Sequence, residues 1–103
     1  MKDGENNYKQ GRKSIPPEIK RSIWLKYKGS FIESTCYCCN INNINVFNFE
    51  AGHIIPDCVG GLPTVDNLRP ICHDCNQHMR KQNMFEYVKT YYPNSPLLLE
   101  TKY

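Results

Sequence analysis

The chain has 103 residues, the length of one domain and close to the lower limit at which an apolar core alone holds a fold together. No apolar run approaches the ~20 residues of a membrane-spanning helix, and Met1-Lys-Asp-Gly-Glu-Asn-Asn-Tyr8 lacks the apolar core of a secretory leader, so an intracellular, soluble protein with no membrane partner is expected. The net charge of +3 is uneven: residues 1–30 carry eight Lys/Arg against three acids, residues 31–103 five against seven, which suits either a polyanionic partner or a solvated basic tail.

Residues 1–13, with Lys9, Arg12 and Lys13, are polar and aperiodic and are expected to form a disordered basic arm, with a single domain over 14–103. From Ser14 to Tyr27 the pattern is helical. Pro16 or Pro17 suits the first turn, Glu18 favours the positive helix end, and Gly29 is a natural C-cap. Ile19, Ile23, Trp24 and Tyr27 share a face, with Trp24 in the core, while Lys20, Lys26 and Lys28 remain for solvent or a polyanion.

Cys36-Tyr-Cys-Cys39-Asn40 reads as a metal knuckle, with Asn40 at the turn position that needs a left-handed conformation. Val46–Ile55 is rich in β-formers and is expected to be a strand, ended by Pro56. Gly60-Gly61 marks a tight loop, and Asp66–Cys72 a second short extended segment. Cys72-His-Asp-Cys-Asn-Gln-His-Met-Arg80 should be a second knuckle opening into a helical turn. A C-terminal helix follows, capped by Asn83 with Glu86 three residues on, with Phe85, Val88 and Tyr92 on one face, and stopped by Pro93.

Six cysteines in so short a chain suit disulfides in an oxidising compartment and metal in a reducing one. With reduced thiols expected, metal is the reading. A Cys-x-x-Cys turn supplies two thiolates, and two such turns, Cys36/Cys39 and Cys72/Cys75, make a closed four-sulfur site for structural zinc. Cys38 would leave a one-residue spacer and, like Cys58, is expected to be a free thiol; His73 and His78 are not needed as ligands.

Between the knuckles lies Glu50-Ala-Gly-His-Ile-Ile-Pro56, and the second knuckle runs directly into Asn76. Phosphodiester cleavage needs a base for water and a cation for the phosphate. His53 suits the first task near neutral pH, and the Asn76 carbonyl suits a hard divalent cation. Each has a plainer role, His53 as a hydrogen-bonded surface residue and Asn76 as a cap for the helix after the knuckle.

Gly52-His-Ile-Ile-Pro56, Gly60-Gly61, Asp66-Asn-Leu-Arg-Pro-Ile-Cys72 and Cys75-Asn76 resemble the HNH endonucleases of the ββα-metal superfamily, in the branch with two zinc-binding Cys-x-x-Cys knuckles. The resemblance spans about residues 15 to 90. It implies an α+β fold, a small zinc-stabilised ββα-metal unit with an N-terminal and a C-terminal helix. It also implies a DNA endonuclease that uses Mg²⁺ or Mn²⁺ and no small-molecule cofactor. On this resemblance His53 is the general base, Asn67 ties the loop that holds His53, and Asn76 binds the catalytic metal. Arg69, His78 and Lys20 are candidates for phosphate contacts. Many HNH enzymes carry a metal-binding Asp directly before the base, where this chain has Gly52. Glu50-Ala-Gly-His53 is similar to the Asp-Arg-Gly-His nucleases, which hold their metal through one Asn and waters. One site cuts one strand, so nicking with low sequence specificity is expected, and double-strand cleavage calls for a homodimer or two encounters. The alternatives are a non-catalytic zinc-knuckle DNA-binding module, a junction-selective resolvase and a purely structural zinc protein.

Overall fold

Helix α1 (Pro17–Lys28) begins at a proline that has no N–H to lose, and the Pro16 carbonyl accepts from Ile19 N at 3.0 Å and Lys20 N at 3.1 Å. It ends at Gly29, whose φ of +68° suits only a residue without a Cβ and whose N–H bonds Leu25 O at 3.1 Å. Ile23 and Trp24 are buried, Ile19 and Tyr27 pack beside them, and the indole donates to Phe31 O at 2.7 Å. This computed structural model describes residues 15–100, so the arm expected over 1–13 lies outside them.

Two small antiparallel hairpins follow. In the first, β1 (Glu33–Thr35) pairs with β2 (Asn43–Asn45), Ser34 facing Ile44, and the first knuckle forms the connection. Asn40 stands there at φ +56°, and its N–H bonds Cys36 O at 2.9 Å. In the second, β3 (Glu50–His53) pairs with β4 (Leu68–Ile71), Glu50 facing Ile71 and His53 facing Leu68. Tyr37 N donates to Pro70 O at 3.0 Å and so docks the first knuckle on β4.

The expected strand over Val46–Ile55 is therefore shorter, Glu50–His53 alone. Asn45 breaks it: its side chain accepts from Phe47 N at 2.9 Å and its carbonyl from Asn48 N at 3.0 Å, folding 46–48 into a turn. The extended segment expected from Asp66 likewise starts later, because Val65–Asn67 is a 3₁₀ turn ahead of β4.

Helix α2 (His73–Met79) grows out of the second knuckle, with Cys72 as its N-cap and the Cys72 sulfur accepting from Cys75 N. It packs against β3, as α1 packs against β4, so the β3–β4 hairpin and α2 make a ββα unit. Asn83 caps α3 (Met84–Tyr91) by accepting from Phe85 N at 2.9 Å and Glu86 N at 3.3 Å. Its buried face is Met84, Tyr87 and Val88, with Phe85 and Tyr92 only half-buried. The face is turned from the expected one because Met84 N bonds Ile54 O at 2.9 Å and seats the helix start on the exit of β3. Past Pro93 the chain forms α4 (Pro96–Glu100), which the sequence reading did not foresee. Buried Ser95 starts it, accepting from Leu97 N at 3.2 Å and donating to Tyr37 O at 2.8 Å.

Candidate active site and zinc clamp

The ligand sulfurs of Cys36, Cys39, Cys72 and Cys75 all lie within 4.8 Å of one another, and all four residues are buried. Zinc–sulfur bonds of about 2.3 Å place tetrahedral sulfurs roughly 3.8 Å apart, so the donor set fits zinc after a small contraction. Backbone N–H groups already point at the sulfurs: Cys38 N and Cys72 N at Cys36, Ile41 N and Asn42 N at Cys39, and Cys75 N at Cys72, at 3.2–3.4 Å. The Asn42 amide adds a donor to Cys72 at 3.3 Å. Such donors favour thiolate over thiol. Hydrogen bonds from the Cys38 and Cys75 thiols pull Cys36 far below the ordinary thiol range, while hydrogen bonding to Cys36 and Cys38 pushes Cys75 up. Crowded thiols share protons in this way, and a dication lets all four ionise together. Cys38 is buried but outside the four-sulfur cluster, its thiol pushed up mainly by its bond to Cys36, and Cys58 is exposed. None of the six cysteines is in a disulfide.

A cleft of about 490 Å³ opens beside this clamp, and Lys20, Glu50, His53, Asn76, Arg80 and Lys81 line it. His53 closes β3, and Asn76 is the fourth residue of α2, so packing of α2 on β3 brings them to one cavity. Asn76 is not the cap of its helix; Cys72 is.

The loop after His53 is tied by Asn67. Its side-chain oxygen accepts from Ile55 N at 2.9 Å, and its amide donates to Ile55 O at 3.1 Å and Leu62 O at 3.0 Å. Its own carbonyl accepts from Ile54 N at 2.8 Å. Asn67 thus holds the backbone just beyond His53 at Ile54 N, Ile55 N and Ile55 O. Gly61 completes the loop, for a Cβ there would collide with the Ile55 carbonyl.

Three residues of the cleft wall escaped the sequence reading as functional groups. Glu50 places Oε1 3.3 Å from Asn76 Nδ2 and Oε2 3.3 Å from His73 Nδ1. Arg80 and Lys81 follow α2 directly, and Arg80 holds φ +56°, a conformation costly for a residue with a Cβ. The signals were local: Glu50 shares a strand face with Gly52, and the two basic residues sit one turn beyond Asn76.

Lys20 reaches the cleft from α1, its ammonium 5.0 Å above the Phe49 ring. Arg69 and His78 do not reach it. Arg69, expected at a phosphate, is buried at 6 % exposure. Its guanidinium donates to Glu100 through Nη2 at 2.8 Å and Nε at 3.1 Å, to Asp66 O at 2.9 Å, and lies 4.2 Å over the Tyr27 ring. A buried guanidinium needs such partners, and α4 supplies the carboxylate. His78 faces α3 instead, sharing a 2.9 Å hydrogen bond with the Tyr87 hydroxyl and meeting the Tyr91 ring edge-on at 4.8 Å.

A hairpin and helix that carry a closed four-cysteine cluster suited to zinc, with a histidine and an asparagine facing one cleft, define a small α+β domain of the ββα kind. Residues 36–89 match the family model of the HNH endonucleases, more than half of the chain. The protein belongs to the HNH endonuclease family. No curated protein matches it. Among the described residues no helix is long and apolar enough to cross a membrane.

Proposed function

We propose that this protein is a metal-dependent DNA endonuclease that nicks duplex backbones with low sequence specificity. The observation that carries this reading is the convergence of His53 and Asn76 on one cleft, in a chain of the HNH endonuclease family. His53 takes the proton of the attacking water, the task for which an imidazole is suited near neutral pH. Asn76 holds Mg²⁺ or Mn²⁺ through its amide oxygen, consistent with the oxygen preference of these ions. A cation held there would supply charge to offset that on the phosphate and on the departing 3′ oxygen. Asn67 keeps the segment beyond His53 from shifting, which matters because catalytic geometry tolerates little displacement. Lys20, Arg80 and Lys81 outweigh Glu50 and Asp57 in the cleft wall and offer cations to the backbone on either side of the scissile phosphate. Arg69 has no part in this contact set. The four cysteines hold structural zinc, which fixes the start of α2 and therefore Asn76.

The test is conversion of supercoiled plasmid to the open-circular form. Cleavage that requires Mg²⁺ or Mn²⁺, stops with chelator and is lost in Asn76→Ala supports the assignment. DNA binding without cleavage under either metal would make the protein a binding module, and strong preference for four-way junctions over linear duplex would make it a resolvase.

A further inference from the structure

We infer that Glu50 is a second oxygen ligand of the divalent cation at Asn76, an assignment that rests on the nuclease reading for the kind of cation the cleft takes. Side chains alternate along a strand, so Glu50 and Gly52 share one face of β3. A Cβ at Gly52 would run into the Ile71 side chain and come within 3.1 Å of Met84 Cε. A side chain at the position before the base would therefore point into the core and could enter only if Ile71 and Met84 repacked. Two residues earlier the same face opens to solvent: the Glu50 side chain is 42 % exposed, and its Oε1 lies 3.3 Å from the Asn76 amide.

The two ends of an asparagine amide exchange by a half-turn. With its nitrogen inward, Asn76 donates to Glu50; with its oxygen inward, the pair presents two hard donors at the same spacing. Neighbouring ligands in a Mg²⁺ octahedron with bonds near 2.1 Å stand about 3.0 Å apart, so the observed 3.3 Å needs only a slight closure. The other carboxylate oxygen is engaged by His73 Nδ1 at 3.3 Å, which orients Glu50 as an outer hydrogen bond orients a metal ligand. Partial exposure also suits an ion that keeps several of its waters. The carboxylate that Gly52 cannot supply comes from Glu50.

The experiment is Mn²⁺ titration of the zinc-loaded full chain, followed by electron paramagnetic resonance of the free ion. Glu50→Gln should bind Mn²⁺ at least about tenfold more weakly, with zinc content and melting temperature unchanged. Glu50→Asp, which keeps the charge and withdraws the oxygens by one methylene, should weaken binding as well. Glu86→Gln removes an acid paired with Lys89 on α3 and should leave Mn²⁺ affinity as it is. Unchanged affinity in Glu50→Gln or Glu50→Asp overturns the assignment, as does an equal loss in Glu86→Gln or failure of the folded wild type to bind Mn²⁺. If Glu50→Gln loses Mn²⁺ while the wild type leaves plasmid intact, Glu50 stands and the nuclease reading falls. If the wild type nicks plasmid and Glu50→Gln binds Mn²⁺ normally, the reverse holds.

Discussion

Asn67→Ala removes three side-chain hydrogen bonds at once, one accepted from Ile55 N and two donated to Ile55 O and Leu62 O. Each such bond contributes about 1 kcal/mol net. These three lie at the surface, where water replaces part of what is lost, so the stability cost should be about 1 to 2 kcal/mol rather than the full sum. For a domain of this size that is a drop of roughly 5 to 15 °C in melting temperature. The effect on cleavage should be larger than the effect on stability. The loop leaves β3 immediately after His53, and a displacement near 1 Å at a catalytic group can cost about a hundredfold in rate. Plasmid nicking measured where the variant is fully folded should therefore fall about a hundredfold. Asn67→Asp keeps the acceptor for Ile55 N but sets a carboxylate against two carbonyls, so it should be less stable than Asn67→Ala. Paired thermal unfolding and nicking assays check both statements. An Asn67→Ala variant that nicks at the wild-type rate, or an Asp variant as stable as wild type, would refute the positioning argument.

The remaining expectations concern the clamp, the buried ion pair and the cleft wall. Metal analysis should find about one zinc per chain; chelation should unfold the protein, Cys58→Ser should keep the zinc, and Cys72→Ser should lose it. A metal-free chain that stays folded would contradict the clamp. Burial pushes the Glu100 carboxyl up, but hydrogen bonds from Arg69 and Tyr37 and the Arg69 charge outweigh it, leaving it below the ordinary 4.5. Its contribution to stability is therefore fully present above pH 4.5 and lost as pH falls through the lowered value. Glu100→Gln should flatten this acid limb and cost about 2 to 3 kcal/mol near neutral pH, since Arg69 is buried while Glu100 is only partly so; urea unfolding across pH reads both. Arg80→Gly should raise stability by up to about 1 kcal/mol by relieving the positive φ. It should nonetheless weaken DNA binding and lower the salt slope by roughly one, an opposition that filter binding and thermal unfolding together would expose.

What was legible in the sequence was what is encoded locally. The Cys-x-x-Cys turns announce their sulfurs, Asn40 announces a positive-φ turn, Gly29 a helix end and Asn83 a cap. That His53 and Asn76 come to one cleft followed from the ordered motifs around them. Arg69 was misplaced because its partner, Glu100, lies 31 residues away on a helix that had not been foreseen. Yet that helix carried its own signal: Ser95 before Pro96 is a cap followed by a proline suited to a first turn. The strand over Val46–Ile55 was overextended because β-formers at Val46, Phe47 and Phe49 outweighed Asn45 and Asn48, whose polar groups make the turn. Strands β1 and β2, three residues each and rich in polar side chains, have no periodicity to read; they exist because the knuckle between them draws their ends together. Glu50 was read as part of a strand and of the Glu50-Ala-Gly-His53 motif, without a role of its own, since its approach to Asn76 depends on where α2 lies.

The central claim is that His53 activates the attacking water in a folded, DNA-binding, metal-loaded protein. Single-turnover nicking of supercoiled plasmid by His53→Ala, compared with wild type at matched zinc content and DNA affinity, tests it most directly. Loss of a general base should lower the rate by about 10² to 10⁴ while leaving DNA and Mn²⁺ binding intact. Nicking by His53→Ala at the wild-type rate would contradict the account.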